Sequence, residues 1–576
     1  MNADRMLAHY EQIADAPDAI ARLRRFILDL AVRGKLVQQD ANDELASDLL
    51  KRIAKEKARL VRAGELRKPR DLDSGNDLNE PFAIPVTWRW VRLDSVGAIV
   101  GGGTPSAAHT DNFAEPGEGV PWLTPADLGG YSDLYISRGS RDLSEKGSGV
   151  SSATMMPKGT VLFTSRAPIG YVAIAANPIS TNQGFKSIVP YIADCSRFVA
   201  TAMKAFAPEI DAKAPGTTFK EVSGKIVAAI PFPLPPLAEQ HRIVAKVDEL
   251  MGLCDRIDAA RADREAVRDR LAAASLARLN APDPKTFLTD ACFALDALPA
   301  LTTRPDQIKA LRQTILNLAV RGKLVPQDAR DEPAASELRT VEKLKAKLDF
   351  KKPKKVAQIE DTEKWCLTPE GWVWARWDQI TDWITYGFTR PMEHVDEGIP
   401  IVTGKNVNEG QIIFDTASFT PQQAFDALNE KDKPQPGDIL ITKDGSIGRS
   451  AIVEEKHLPF CINQSVAVMW LRSCHFNRRF LKLVLDSPQT QEVLLEKTAG
   501  VAIKHISITD LGKMIFPLPP LAEQHRIVAK VDALMALCDR LEANLTATAA
   551  TRRRLLDALL AEALAPAEVR ELEAAQ

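Results

Sequence analysis

No stretch of this 576-residue chain approaches the roughly 18 to 20 consecutive apolar residues that a membrane helix requires. The opening residues, MNADRMLAHYEQ, lack the apolar core of a secretory signal. A cytoplasmic protein with no membrane partner is therefore expected. The seven cysteines, Cys195, Cys254, Cys292, Cys366, Cys461, Cys474 and Cys538, form no CxxC pair. That argues against a zinc ribbon or a disulfide framework and leaves them as small core residues in a reducing compartment. An excess of charge of one sign is lacking too: 74 Lys and Arg face 76 Asp and Glu, a net charge of −2. The chain thus has no overall basic footprint of a free-standing nucleic-acid binder. Catalytic signatures are also missing: GxxxxGK[ST], HExxH, GxSxG and Asn/Asp-Pro-Pro-Tyr are all absent, and the eight histidines are scattered. Gly101-Gly102-Gly103-Thr104-Pro105 is not followed by a helical pattern and reads as a turn between strands. Gly445-Ser446-Ile447-Gly448 is a similarly poor phosphate cradle. Neither a catalytic centre nor a metal site assembles from these residues.

Repetition is what the chain has in abundance. Phe232 to Ile257, FPLPPLAEQHRIVAKVDELMGLCDRI, returns as Phe516 to Leu541, FPLPPLAEQHRIVAKVDALMALCDRL, at an offset of 284 residues. Only Glu249/Ala533, Gly252/Ala536 and Ile257/Leu541 differ. The offset is too long for a solenoid repeat and marks a duplicated module. Pro235-Pro236 suits a helix start, where a missing N–H costs nothing. Ile243, Val247, Leu250, Cys254 and Ile257 then follow the 4-3-4-3 spacing of a helix that packs on a helix. The second copy places Ile527, Val531, Leu534, Cys538 and Leu541 on the same seam and carries it through Leu545, Leu555 and Leu559. Two such helices invite a mutual antiparallel pairing; the alternative is two ordinary amphipathic helices buried in separate domains. The polar face recurs as well, and His241 and His525 at matching positions read as packing or hydrogen-bonding residues. A helix from 237 to 278 is roughly 60 Å long, more than one DNA turn of about 34 to 36 Å.

A second repeated element, LRRFILDLAVRGKLVQQD at Leu23 to Asp40, matches LRQTILNLAVRGKLVPQD at Leu311 to Asp328. Its apolar spacing predicts a helix within a helical region spanning about residues 4 to 65, and Gly34 offers a stop after Val32-Arg33. Further helical runs follow at about 43–63 and 334–350. Both halves then cross a basic linker, Arg67 to Arg70 and Lys351 to Lys355, which reads either as a solvated tether or as a phosphate contact. Beyond each linker, at about 82–231 and 365–515, short β-branched and aromatic runs broken by Gly, Pro, Asn and Asp predict strands. Trp88/Trp90 and Trp372/Trp374 alternate as in a strand and read as core anchors. Landmarks correspond loosely: Asn182-Gln183 with Asn463-Gln464, Ile169-Gly170 with Ile447-Gly448, Lys220 with Lys504. The proline-rich break Ala281 to Pro305 joins the halves. The fold class expected is α+β, in two tandem pseudo-symmetric halves, each a β-rich mixed domain plus a long helix.

These motifs carry a family resemblance. PLPPLAEQHRIV at Pro233 to Val244 and again at Pro517 to Val528, LAVRGKL at Leu30 to Leu36 and Leu318 to Leu324, Trp88/Trp90, Gly102 to Pro105 and Trp122 to Pro125 resemble the DNA specificity subunit of type I restriction-modification systems over nearly the whole chain. The resemblance implies an N-terminal helical region (1–66), target-recognition domains at 82–235 and 365–519, a central helical region (236–350, with a loop at 279–305) and a C-terminal helix (520–576). It further implies that the two long helices pair antiparallel as a coiled coil. Such subunits read a bipartite, asymmetric site on double-stranded DNA, one half per domain, with an unread spacer set by helix length. They are non-catalytic and hold no cofactor. Two modification subunits using S-adenosylmethionine, and restriction subunits using ATP and Mg, are the implied partners. Thr389-Arg390-Pro391 stands where Gly103-Thr104-Pro105 stands in the first domain, and Thr403-Gly404-Lys405 where Thr124-Pro125-Ala126 stands, so the half-sites should differ.

Base edges are matched by Arg, Lys, Asn, Gln, Ser and Thr. The expected DNA-binding residues are Thr104, Ser106, Arg166, Asn182, Gln183 and Lys220 in the first domain. In the second they are Arg390, Lys405, Asn406, Lys443, Asn463, Gln464 and Lys504. The Asn-Gln pairs read equally as turn-holding residues. Partner contacts are expected on the long helices at Glu239, Arg242, Lys246, Glu523, Arg526 and Lys530. The alternative function is a helical scaffold that organises partner proteins without reading DNA.

Overall fold

In the computed structural model, described for residues 15, 16, 18–64, 80–216, 220–281, 283, 285–347, 356–496 and 505–564, the two copies of the LAVRGKL helix end alike. They span Ala19–Val32 and Pro305–Val320. Gly34 and Gly322 follow with φ of +65° and +66°, and Lys35 N and Lys323 N each reach back 3.0 Å to the carbonyls of Leu30 and Leu318. This is a Schellman stop, and glycine suits its left-handed position. Space demands glycine as well: an added Cβ would lie 2.4 Å from Pro85 Cγ in one copy and 2.5 Å from Pro369 Cγ in the other. The helix end can therefore rest against the turn that carries Trp88 or Trp372. The basic linkers at 67–70 and 351–355, residues 4–14 and Lys504 lie outside the described residues.

The chain divides into two units, residues 1–263 with 549–576, and residues 264–548. In the first, Arg89–Arg92 and Pro231–Leu234 bring the chain into and out of the β-rich domain as an antiparallel ribbon, Trp90 opposite Pro233. Prolines are tolerated there because a two-stranded ribbon consists only of edges. Between them lies a five-stranded sheet in the order Gly97–Gly101, Lys186–Pro190, Val161–Phe163, Val172–Ala175, Tyr135–Ile136. A smaller sheet carries Val120–Leu123 parallel to Ser180–Thr181. Ser196–Lys213 packs as a helix on the large sheet and on Ala19–Val32. Ile243, Val247 and Cys254 of the long helix Leu237–Asn280 share the resulting core with Ile27, Ala31, Trp88 and Phe198. Residues 549–564, the last turns of the second long helix, belong here too: Leu556 and Leu559 pack with Ala16 and Ala19, and Arg22 pairs with Asp557.

The second unit repeats the plan. Val373–Arg376 pairs with Ile515–Leu518, Trp374 opposite Pro517. A four-stranded sheet runs Trp383–Tyr386, Val466–Trp470, Ile439–Thr442, Ser450–Ile452, and Ile399–Val402 lies parallel to Cys461–Ile462. Ile527, Val531 and Cys538 of the long helix Leu521–Leu564 share a core with Ile308, Ile315 and Ala319. The last turns of the first long helix belong to this unit: Arg304 reaches Glu265 at 3.1 Å and Asp269 at 2.5 Å, and Asn317 donates to Asn280 Oδ1 at 2.9 Å.

Three expectations change. The stretch expected as the loop 279–305 contains helices Phe287–Asp296 and Leu298–Leu301. Of the tryptophan pairs, only Trp88 and Trp372 are buried; Trp90 and Trp374 are half-buried on the ribbon, against Phe82 and Trp365. The seam residues of each long helix are covered at this level by the LAVRGKL helix of their own repeat. Among the cysteines, Cys195, Cys254, Cys461, Cys474 and Cys538 are buried, Cys366 is half-buried and Cys292 is exposed. Burial pushes the thiols of Cys195 and Cys461 up to about 12, which keeps them protonated and inert.

Gly322→Ala should cost several times as much stability as Gly64→Ala. Gly64 also has positive φ, +73°, but nothing lies within 4 Å of an added Cβ. Backbone strain of about 1 kcal/mol applies to both and the clash with Pro369 only to the first. Thermal unfolding of the two variants measures the difference; equal shifts would refute the packing account.

Candidate nucleic-acid interface

At one end of the large sheet in the first unit, several loops are tied together by backbone hydrogen bonds. After Val161–Phe163 the chain folds back over Thr164 to Gly170, with Gly170 N donating to Thr164 O (3.0 Å) and Thr164 Oγ1 to Pro168 O (2.8 Å). Ser165 N donates to Gly184 O (2.8 Å) and Ser165 O accepts from Val222 N (2.8 Å). That double tie sets Arg166 beside Glu221, whose carboxylate accepts from Nη2 at 2.6 Å and Nε at 3.2 Å. Asn182 Oδ1 accepts from Gly184 N (2.9 Å) and holds the turn, with Gln183 exposed at its apex. Gly103 N donates to Thr181 O (2.9 Å), and Gly102 has no room for a side chain, since a Cβ would lie 2.0 Å from Asn182 O. Thr104 and Ser106 follow, both exposed. Lys220 precedes Glu221, its Nζ donating to Asp211 O at 2.9 Å.

The second unit builds the same frame. Gly448 N donates to Thr442 O (2.9 Å), Lys443 N to Ser465 O (3.0 Å), and Ile506 N to Lys443 O (3.0 Å). These are the counterparts of the bonds at Thr164, Ser165 and Val222, so Asp444 stands where Arg166 stands and His505 where Glu221 stands. Asp444 Oδ1 and His505 Nδ1 are 2.5 Å apart. Phe388 N donates to Ile462 O (3.1 Å), as Gly103 N does to Thr181 O. The bond aligns Thr389 with Thr104, one residue away from the register expected from sequence, in which Arg390 held that place.

Several expected readers are committed to the fold. Asn406 is 1% exposed; its Oδ1 accepts from Thr403 N and Oγ1, each at 2.9 Å, and its Nδ2 donates to Ile413 O at 3.0 Å. Asp127 does the same for Thr124 in the first domain, at 2.7 and 2.8 Å. Lys443 is buried, its Nζ 3.0 Å from Asp444 Oδ2 and over the Tyr386 ring. Asn463 Oδ1 accepts from Ser465 N and Oγ at 3.0 and 2.6 Å, the turn-holding role also seen at Asn182. Gln183, Gln464, Arg390 and Lys405 are exposed, Arg390 donating to Ala427 O at 3.1 Å. Sequence reading missed Glu221, Asp444 and His505. The signal was Lys220-Glu221 against Lys504-His505 at the 284 offset.

The long-helix residues divide in the same way. Glu239 and Glu523, expected on an outer polar face, are each 1% exposed. Glu239 accepts from Trp88 Nε1 at 2.9 Å and Gln39 Nε2 at 2.5 Å. Glu523 accepts from Trp372 Nε1 and Gln327 Nε2, both at 2.9 Å. Arg242 forms a bidentate pair with Asp43 and Arg526 with Asp331, closest approach 2.6 Å in both. Lys246 bonds Glu249 one turn away, and Lys530 is exposed. His525 Nδ1 lies 2.9 Å from Asn477 Nδ2. Among the described residues no helix is long and apolar enough to cross a membrane, and no group of three or more His, Cys, Asp or Glu is placed to hold a metal ion.

Comparison with known proteins gives one family. The type I restriction modification DNA specificity domain matches residues 85–263 and 393–549. The specificity subunit of the type I restriction enzyme EcoEI of Escherichia coli is 28% identical over 592 residues, covering 95% of this chain and 94% of that one. That of EcoAI, from the same species, is 29% identical over 559 residues, covering 94% and 93%. A solved chain from work on assembly and conformational transition of the type I R-M system aligns at 21% identity over 84% of this chain and 99% of its own, with a TM-score of 0.49.

Glu523→Ala should lower the unfolding temperature markedly, because it leaves the buried N–H of Trp372 without an acceptor, at roughly 1 to 3 kcal/mol; the exposed Gln327 keeps its bond to Gly322 O. Lys530→Ala should be nearly silent. Burial pushes the Glu523 carboxyl up, against the pull of Gln327 and Trp372. A carboxyl raised on folding binds its proton better in the folded state, so its ionisation subtracts stability as pH rises above the ordinary value of 4.5. The gap between the wild type and Glu523→Ala should narrow as pH rises through that range; a gap that widens would contradict this.

Proposed function

The chain belongs to the type I restriction-modification DNA specificity family, and from that premise we propose that it reads a bipartite, asymmetric DNA sequence, one half-site per β-rich domain, and so directs adenine methylation and cleavage by partner subunits. Specificity subunits are the recognition parts of these systems, not the catalytic ones, and carry no cofactor of their own. S-adenosylmethionine, ATP and Mg then belong to two modification subunits and to the restriction subunits, in the cytoplasm where DNA is accessible.

One observation carries this reading: the same loop frame is built twice, bond for bond, with different side chains mounted on it. A duplicated structural domain has no need to vary residues exposed on an otherwise fixed frame, whereas two readers of different base sequences must. The domains are residues 82–235 and 365–519; the regions 1–66, 236–350 and 520–576 form the frame. Direct readers are Thr104, Ser106, Arg166, Gln183 and Lys220, with Arg390, Lys405, Gln464 and Lys504, while Asn182, Asn406, Lys443 and Asn463 set loop shape. Lys246 and Lys530 remain for the modification subunits. The long helices run antiparallel, a reading supported by the start of each and the end of the other falling in one compact unit. Each helix, 44 residues or about 66 Å, suits half-sites one to two DNA turns apart.

Methylome sequencing of a host carrying this chain and its modification subunit, beside a host lacking the chain, tests the reading. A bipartite N6-methyladenine motif should appear only with the chain. Exchanging residues 82–235 for the corresponding domain of a relative should replace one half of the motif and leave the other. No motif, despite a verified complex and an active partner, would favour the scaffold instead.

A further inference from the structure

The pairs Arg166–Glu221 and Asp444–His505 occupy the same point of the shared frame with the carboxylate moved from one side of the contact to the other. Each joins the turn after the central strand to the segment before the last short helix, and each spans one isolated antiparallel bridge. The turn carries the cation in the first domain and the anion in the second. The backbone does not depend on the pair's orientation, since the hydrogen bonds of Ser165 with Gly184 and Val222 recur unchanged at Lys443. Nor is stability a sufficient reason for the pairs: Arg166 and Glu221 are 44% and 40% exposed, Asp444 and His505 29% and 48%. Polar contacts that open to water add little to stability. What the exchange alters is the hydrogen-bonding character presented to solvent at one fixed place.

The geometry also leaves each turn residue with capacity for a ligand. Glu221 takes the Nε and Nη2 side of the Arg166 guanidinium, so the end edge formed by Nη1 and Nη2 retains donors. That edge matches the two acceptors, O6 and N7, that guanine shows in the major groove. Asp444 gives Oδ1 to His505 and Oδ2 to Lys443, and a carboxylate with about four acceptor sites keeps two for an amino donor. Cytosine N4 is the base-edge donor that a carboxylate accepts from. In both pairs the counter-residue fixes the rotamer of the reader before DNA arrives.

We infer that Arg166 and Asp444 are specificity-determining residues at the equivalent position of the two half-sites, Arg166 selecting guanine and Asp444 selecting cytosine, with Glu221 and His505 as their positioning residues. This rests on the reading that the two domains bind DNA. Equilibrium binding by the complex with its modification subunits, on duplexes carrying the methylated motif, tests it. In the first half-site, 7-deazaguanine at one guanine should weaken wild-type binding by roughly 10-fold. Arg166→Gln should weaken binding to the natural duplex by roughly 10- to 100-fold and abolish the sensitivity to 7-deazaguanine. Asp444→Asn should make one position of the second half-site degenerate in the methylome and leave the first half intact. Three outcomes overturn the inference while leaving DNA reading in place: equal losses for Arg166→Gln on natural and substituted DNA, an unaltered motif in both variants, or a half-site with no G·C pair. The wild-type 7-deazaguanine series and the motif itself decide the matter even where a variant folds poorly. Absence of any sequence-dependent binding by the wild-type complex would instead remove the underlying reading.

Discussion

Each half of the molecule depends on one buried carboxylate. Glu239 and Glu523 sit in the first turn of a long helix, where the exposed helix N–H groups favour an anion, and each joins three segments far apart in sequence. Gln39 or Gln327 follows the LAVRGKL turn, and Trp88 or Trp372 opens the β-rich domain. A carboxyl group in an apolar setting is tolerated only when its oxygens are hydrogen-bonded. The direction of the long helix, the seat of the tryptophan and the path of the chain after Gly34 or Gly322 must therefore agree. The bidentate Arg242–Asp43 and Arg526–Asp331 pairs close the same junction from its rim. This accounts for the near-identity of Phe232–Ile257 and Phe516–Leu541: the polar run Glu-Gln-His-Arg is part of a joint, and Gln240 and Gln524 complete it by donating to the carbonyls of Pro235 and Pro519.

Against that joint, the loops at the far end of each sheet are free to vary because their frame is made of backbone. Ser165 and Lys443 share no side-chain chemistry yet make the same two main-chain bonds, and Asp127 and Asn406 secure the same turn with a carboxylate in one and an amide in the other. Shape is set by carbonyls and amides, which every residue supplies, and chemical identity by whatever side chains point outward.

The sequence was most legible where a rule is local. The seam from Ile243 to Cys254, the Schellman stop at Gly34 and the α+β alternation follow from spacing and from glycine's conformational freedom. Asn406 was also within reach, since Thr403-Gly404-Lys405-Asn406 has the Thr-x-x-Asn spacing of a cap. Long-range closure was not legible. Nothing at Glu239 announces burial, because it opens the polar run Glu239-Gln240-His241-Arg242 and its partners lie 151 and 200 residues away. The Arg166–Glu221 pair spans 55 residues, and the one-residue register at Phe388 is fixed by a bond to Ile462. These depend on how separate strands meet, which periodicity along one strand cannot encode.

The ribbons Arg89–Arg92 with Pro231–Leu234 and Val373–Arg376 with Ile515–Leu518 have a consequence for heredity. They hold the two ends of each domain one strand spacing apart, about 4.8 Å, so everything between is a closed loop as far as the helical frame is concerned. Lengthening such a loop costs little, about 0.6 kcal/mol for each doubling, and its ends need not move. Insertions and deletions inside a domain are then nearly invisible to the joint at Glu239 or Glu523. Mutation can explore new loops in one half while the helices, and the other half, keep their geometry.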